Sequence, residues 1–113
     1  MSSTDKIELL KLAKKLGYKT YLYFVSTSDP LINISRVRNR VQLGGHDVPQ
    51  DKIVSRYYRS LSNLKEAVKY TDRAYIFDNS SHKRTWICEI TNATKVEIKQ
   101  DNIPKWLENS FLV

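Results

Sequence analysis

The sequence predicts an α/β chain built on a parallel pair of strands joined through a two-helix crossover. Three observations carry that expectation. Runs of β-branched and aromatic residues alternate with stretches of helical periodicity. The two strongest strand patterns, Lys19 to Val25 and Ala74 to Phe77, lie too far apart for a hairpin and have helical sequence between them, which calls for parallel pairing with a right-handed connection. Beyond the second strand the sequence is short-period and turn-punctuated, as in a closing hairpin.

The first helix is marked by Asp5 and Glu8, spaced as a capping box, by Leu9, Leu12, Ala13 and Leu16 at helical spacing, and by Gly17 as its stop. Lys19 to Val25 then reads as a strand apolar on both faces, so a central place in a sheet covered on both sides is expected. Asp29 and Pro30 have the form of a helix cap and first helical residue, with Ile34, Val37 and Val41 as the apolar stripe that follows. Gly44-Gly45 breaks this helix. Pro49 opens a longer one to about Tyr70, with Ile53, Tyr57, Leu61, Leu64 and Val68 on one side. Ala74 to Phe77 is the second strand, closed by the polar turn Asp78-Asn79-Ser80-Ser81. Thr85 to Thr91 and Lys95 to Lys99 form a hairpin across Asn92-Ala93-Thr94, and Pro104 to Phe111 a closing helix.

The 113 residues, 41% of them hydrophobic, suffice for one domain with its own core, and no linker, repeat or low-complexity stretch divides them. Nineteen Lys and Arg against twelve Asp and Glu leave a formal charge of +7, which directs the surface to anionic partners, phosphates or nucleic acid. Cys88 has no second cysteine to pair with and lies in an apolar run, so it reads as a small buried hydrophobe. No charged-then-apolar leader follows Met1, and the longest apolar run, Tyr21 to Val25, is far too short for a bilayer. A cytoplasmic protein with no membrane partner is expected. His46, His82 and Cys88 lack metal-ligand spacing, so no metal site is expected, and His46 reads either as a support of the glycine break or as an exposed turn residue.

The chemistry concentrates between Arg36 and Arg59, where five arginines accompany a single lysine, Lys52. Arginine's rigid fork of donors suits phosphate oxygens, whereas a merely solvated face is served equally by lysine. Arg36 and Arg40 are four apart and share a helix face, while Arg38 points away. Lys52, Arg56, Arg59 and Asn63 share a face of the next helix, and Gly44-Gly45 between the two helices allows a sharp bend or a hinge. Asp29 is accounted for by its cap, and Tyr57 by the apolar stripe.

Arg36-Val37, Arg40-Val41, Gly44-Gly45-His46, Val48-Pro49, Ile53, Arg56-Tyr57, Arg59-Ser60-Leu61 and Asn63-Leu64, in that order and spacing, closely resemble the lid of zeta-toxin-like kinases. Gly17-Tyr18 leading into Leu22-Tyr23-Phe24-Val25, then Asp29-Pro30, Asp72 and Asp78-Asn79-Ser80, also resemble small bacterial members of that family. The likeness extends to about Ser81 and is looser in the final hairpin and helix. It implies a fragment of a P-loop kinase fold, with core and lid over 1–81 and hairpin and closing helix over 82–113. The implied activity is transfer of the γ-phosphoryl of ATP, with Mg²⁺, to a hydroxyl of a small molecule, which for the toxins is a uridine-diphosphate amino sugar. The implied catalytic groups are Arg36 or Arg40 together with Arg56 or Arg59, neutralising the moving phosphoryl, and the implied nucleotide contacts are Arg40, Arg56 and Asn79.

One departure from the family is specific. A phosphate cradle needs Gly-x-x-x-x-Gly-Lys-Ser/Thr after a strand, and the only glycines here are Gly17, Gly44 and Gly45. By the resemblance, Met1 corresponds to an internal methionine of a longer kinase, and this chain is expected to be inactive and without a cofactor on its own. The expected partners are the absent P-loop half, a small phosphoryl acceptor and at most nonspecific nucleic acid. Self-association through a sheet edge that the absent half would cover is also expected. The competing reading is a basic module whose arginine face holds single-stranded nucleic acid or an acidic protein.

Overall fold

The computed structural model describes residues 5–81 and 83–108. Its elements run α1 (Asp5–Lys15), β1 (Tyr21–Ser26), α2 (Pro30–Gln42), α3 (Gln50–Lys69), β2 (Arg73–Asp78), β3 (Thr85–Thr91), β4 (Lys95–Ile98) and α4 (Lys105–Leu107). The strands form one sheet in the order β1-β2-β3-β4. β1 and β2 are parallel, from Tyr21 opposite Arg73 to Ser26 opposite Asp78, and the two later pairings are antiparallel. The mixed α/β character, the parallel pair, the two-helix crossover and the hairpin all follow the sequence pattern. Asn92 and Ala93 turn the hairpin with φ of 52° and 64°.

Glycine ends the first two helices in the same way. After α1, Tyr18 N–H donates to the Ala13 carbonyl at 3.0 Å and Gly17 N–H to that of Lys14 at 3.1 Å, with Gly17 at φ +83°. After α2, Gly45 N–H donates to Arg40 at 2.7 Å and Gly44 N–H to Val41 at 3.0 Å, with Gly44 at φ +97°. Both are Schellman caps, which need a left-handed residue just past the helix. A Cβ on Gly45 would sit 2.9 Å from the Arg40 carbonyl oxygen. The glycine pair thus ends α2, as its reading as a helix break led one to expect. At its other end α2 is capped as predicted, the Asp29 carboxylate accepting from Leu31 N–H at 2.8 Å ahead of Pro30.

The core lies on one face of the sheet. α3 contributes Tyr57, Leu61, Leu64 and Val68, packed with Phe24, Ala74, Ile76, Ile87, Cys88, Ile90, Trp106 and Leu107. β3 slips register between the partners of Ile76 and Phe77, so Ile87 is an extra residue and both Ile87 and Cys88 are buried. Cys88 is the small buried hydrophobe expected, and burial pushes its thiol up to about 11.

Several expectations are corrected. β1 is an edge strand, not a central one, and Tyr21, Tyr23 and Val25 on its second face are exposed because no described element covers that side. The α1 stripe of Leu9, Leu12 and Leu16 is likewise exposed, and Ile7 is the buried residue of that helix. Both patterns record apolar surface correctly but not what meets it. α1 is described from Asp5, and the residues before it, which bear on the predicted capping box, lie outside the described ones. The closing helix is described as Lys105–Leu107, and its predicted continuation to Phe111 lies outside the described residues, as does His82.

Candidate functional site

Polar ties hold the carboxyl ends of the parallel strands to both crossover helices. Asn79 N–H donates to the Ser26 carbonyl at 2.8 Å, and Ser28 N–H to the Ser80 hydroxyl at 2.8 Å, which joins the segment after β1 to the segment after β2. Asp78 shapes that turn by accepting from Ser80 N–H at 2.7 Å and from the Trp106 indole at 2.8 Å. The buried Tyr57 hydroxyl donates to the Thr27 carbonyl at 2.6 Å, fixing α3, and burial raises that phenol above its ordinary value. Thr27 donates to the Asn33 side-chain oxygen at 2.6 Å, and Arg36 donates to the Asn79 carbonyl at 2.6 Å, fixing α2.

These ties enclose a cleft of about 840 Å³ between the strand ends and the two helices. Arg36 and Arg40 of α2, Arg56 and Ser60 of α3, and Asn79 after β2 line it. Helical spacing explains the set: Asn33, Arg36, Val37 and Arg40 lie at i, i+3, i+4 and i+7 on α2, and Ile53, Arg56, Tyr57 and Ser60 repeat that spacing on α3. No carboxylate is among the lining residues, and the ion pairs found among the described residues, Lys11–Glu8, Lys69–Glu66, Arg73–Glu89 and Lys99–Glu97, all lie elsewhere. Three guanidinium groups thus share a partly enclosed space with hydroxyls and amides but no acid. That donor set suits an anion with several oxygens.

The structure brings Arg36, Arg40, Arg56 and Asn79 together as the sequence led one to expect, but it separates Arg59 from them. Arg59 lies about 60° further round α3 than Arg56, at 3.6 residues per turn, and does not reach the cleft. Arg38 faces away as predicted and bonds Gln50 at 3.2 Å. His46 is an exposed loop residue just past the helix stop. Thr27, Asn33, Asn39 and Ser60 were missed. The polar i, i+3, i+7 run Asn33, Arg36, Arg40 could have marked that wall, but asparagine and serine are too common on exposed helices to stand out.

The lining offers cationic donors suited to phosphate oxygens and no carboxylate for a divalent metal ion. Asp29 and Asp78, the nearest acids in sequence to the strand ends, are outside the lining and already accept from the backbone and the indole. Among the described residues no helix is long and apolar enough to cross a membrane.

No protein-family model matches the chain, and no solved structure does. An uncharacterised protein of Haemophilus influenzae (strain ATCC 51907 / DSM 11121 / KW20 / Rd) is 32% identical over 57 residues, which make up 50% of this chain and 41% of the relative. The matched stretch thus spans less than half of that relative's length.

Proposed function

We propose that the cleft binds a phosphate-bearing small molecule, and that the chain is the lid-containing portion of a zeta-toxin-like, ATP-dependent phosphotransferase. The observation that carries this reading is the convergence of Arg36, Arg40 and Arg56 on one acid-free cleft at the carboxyl ends of a parallel strand pair, where open α/β sheets place their ligands. Arg40 and Arg56, on opposing helices, would grip the non-bridging phosphate oxygens. Arg36 holds its helix to the Asn79 carbonyl with one guanidinium nitrogen and has donors left for the ligand. ATP would supply the phosphoryl group to the hydroxyl of a small acceptor, with the arginines neutralising charge that grows in flight. The sequence has no glycine-rich phosphate loop and the cleft has no carboxylate to hold Mg²⁺, so in this reading a P-loop segment and the acidic metal ligand come from other polypeptide, and the chain alone is inactive.

Calorimetric titration with pyrophosphate, ATP and a uridine-diphosphate amino sugar tests the reading. Weak saturable binding of at least one of them, lost in Arg56→Ala, is expected, together with no phosphoryl transfer by the purified chain. No binding of any, or transfer by the chain alone, contradicts it.

A further inference from the structure

Two ladders, one of backbone groups and one of aromatic rings, stop at the same strand. β1 is outermost in the sheet, runs six residues in unbroken register with β2, and contains no proline and no charge. The opposite edge, β4, is only four residues long and carries Lys95 and Glu97, the usual devices that blunt an edge. On the open face the rings of Tyr23 and Tyr75 stack across the strands at 4.8 Å and 17°, and Phe77 and Trp86 continue the row at 6.5 Å and 25°. A row that crosses strands leaves its last ring with one uncovered side. That ring is Tyr23, which is 67% exposed.

We propose that β1 pairs antiparallel with β1 of a second copy, about a two-fold axis at Tyr23, to give one continuous eight-stranded sheet. The residues around that centre are self-complementary: Tyr23 meets itself, Leu22 meets Phe24, Tyr21 meets Val25 and Thr20 meets Ser26. Residues directly opposite in an antiparallel pair share a face, so a centre between two residues would set core-facing Leu22 against open-face Tyr23. A centre at Leu22 opposes Thr20 to Phe24 and Lys19 to Val25, and a centre at Phe24 opposes Tyr21 to buried Thr27. Only Tyr23 pairs apolar with apolar and polar with polar throughout and extends the ring stack.

The axis is normal to the sheet, so both cores stay on one side and the interface is isologous. The exposed parts of Tyr18, Tyr21 and Tyr23 amount to roughly 300–400 Å² per chain, at about 200 Å² for each aromatic residue. That is about half of the ~800 Å² per partner of a stable interface, so a weak dimer that forms at high concentration is the expectation. The formal charge of +7 on each copy opposes association but lies outside β1, so added salt strengthens the dimer. The cleft arginines take no part, so phosphate binding by the chain does not depend on the dimer, which occupies the sheet edge that the resemblance assigns to the absent P-loop half.

Sedimentation equilibrium from micromolar to millimolar concentration is the test. The natural chain is expected to dimerise, Tyr23→Lys to weaken the dimer at least tenfold with unchanged far-UV circular dichroism, and Tyr58→Lys, at an exposed position on α3, to leave it intact. Tyr23→Cys should form a self-cross-linked dimer with a short bis-maleimide while buried Cys88 stays unreacted, which decides the matter even if the lysine variant folds poorly. A chain that is monomeric throughout, a dimer indifferent to Tyr23→Lys, or a Tyr23→Cys variant that does not cross-link overturns the proposal.

Discussion

The two halves of α3 carry one continuous apolar stripe, yet they meet different surroundings. From Leu61 onward the stripe is Leu64, Ala67 and Val68, all between 0 and 1% exposed and closed against the sheet. Before Leu61 the same period places Ile53, Arg56, Tyr57 and Ser60 along a cleft that also holds Arg36 and Arg40. The first case stabilises the fold, and the second holds positive charge in place without an acid to neutralise it. The difference shows that a helix period fixes which residues share a face, while the neighbouring elements decide whether that face becomes core or site.

The comparison is broken most severely from the core side. Leu64→Ala is expected to lower the unfolding free energy by about 2–5 kcal/mol, the range for a fully buried leucine, whereas Arg56→Ala should change it by no more than about 0.5 kcal/mol. Urea denaturation of both variants measures this. Similar losses would mean that the two halves of the helix do the same job.

On the cleft side the expected effect is on binding. Removing either Arg40 or Arg56 deletes charge-assisted hydrogen bonds worth about 1.5–3 kcal/mol, a loss of about 10- to 100-fold in affinity for pyrophosphate. Arg36→Ala should weaken binding and also destabilise the fold, since it unties α2 from the Asn79 carbonyl. Calorimetry paired with denaturation separates the two classes.

A smaller effect comes through pH. Burial raises the Cys88 thiol from 9.0 to about 11, so the neutral form is the one the fold favours. The stability this contributes is complete below about pH 9 and is lost as pH climbs through about 11. Thermal melts at rising pH should show this loss in the natural chain, and a shallower one in Cys88→Ala, where Tyr57 and the other alkaline groups still titrate. Parallel melting curves for the two would contradict it.

The sequence made most of this legible, for identifiable reasons. Asp29, Pro30, Gly17 and Gly44-Gly45 are local instructions whose meaning does not depend on distant residues, and they mark the helix ends as observed. The face shared by Arg36 and Arg40 follows from period alone, as does the outward turn of Arg38. What failed depended on partners. Tyr21, Tyr23, Leu9 and Leu12 are apolar, and the sequence does not record whether anything covers them. Helix period groups Arg59 with Arg56, since both stand off the apolar stripe, but only the placement of α2 and the strand ends shows which of them reaches the cleft.

The smallest effects sharpen the same contrast. Arg38→Ala and Arg59→Ala remove charges outside the cleft and should alter pyrophosphate affinity less than about threefold, the scale of a surface electrostatic change.

The central claim, that the cleft is a phosphate site, is tested most directly by following the arginine side-chain NH resonances while the natural chain is titrated with pyrophosphate at low salt. Saturable shifts confined to Arg36, Arg40 and Arg56, with Arg38 and Arg59 unmoved, are the predicted result. Equal, unsaturating shifts of all seven arginines would contradict the claim and reduce the cleft to one part of a generally basic surface.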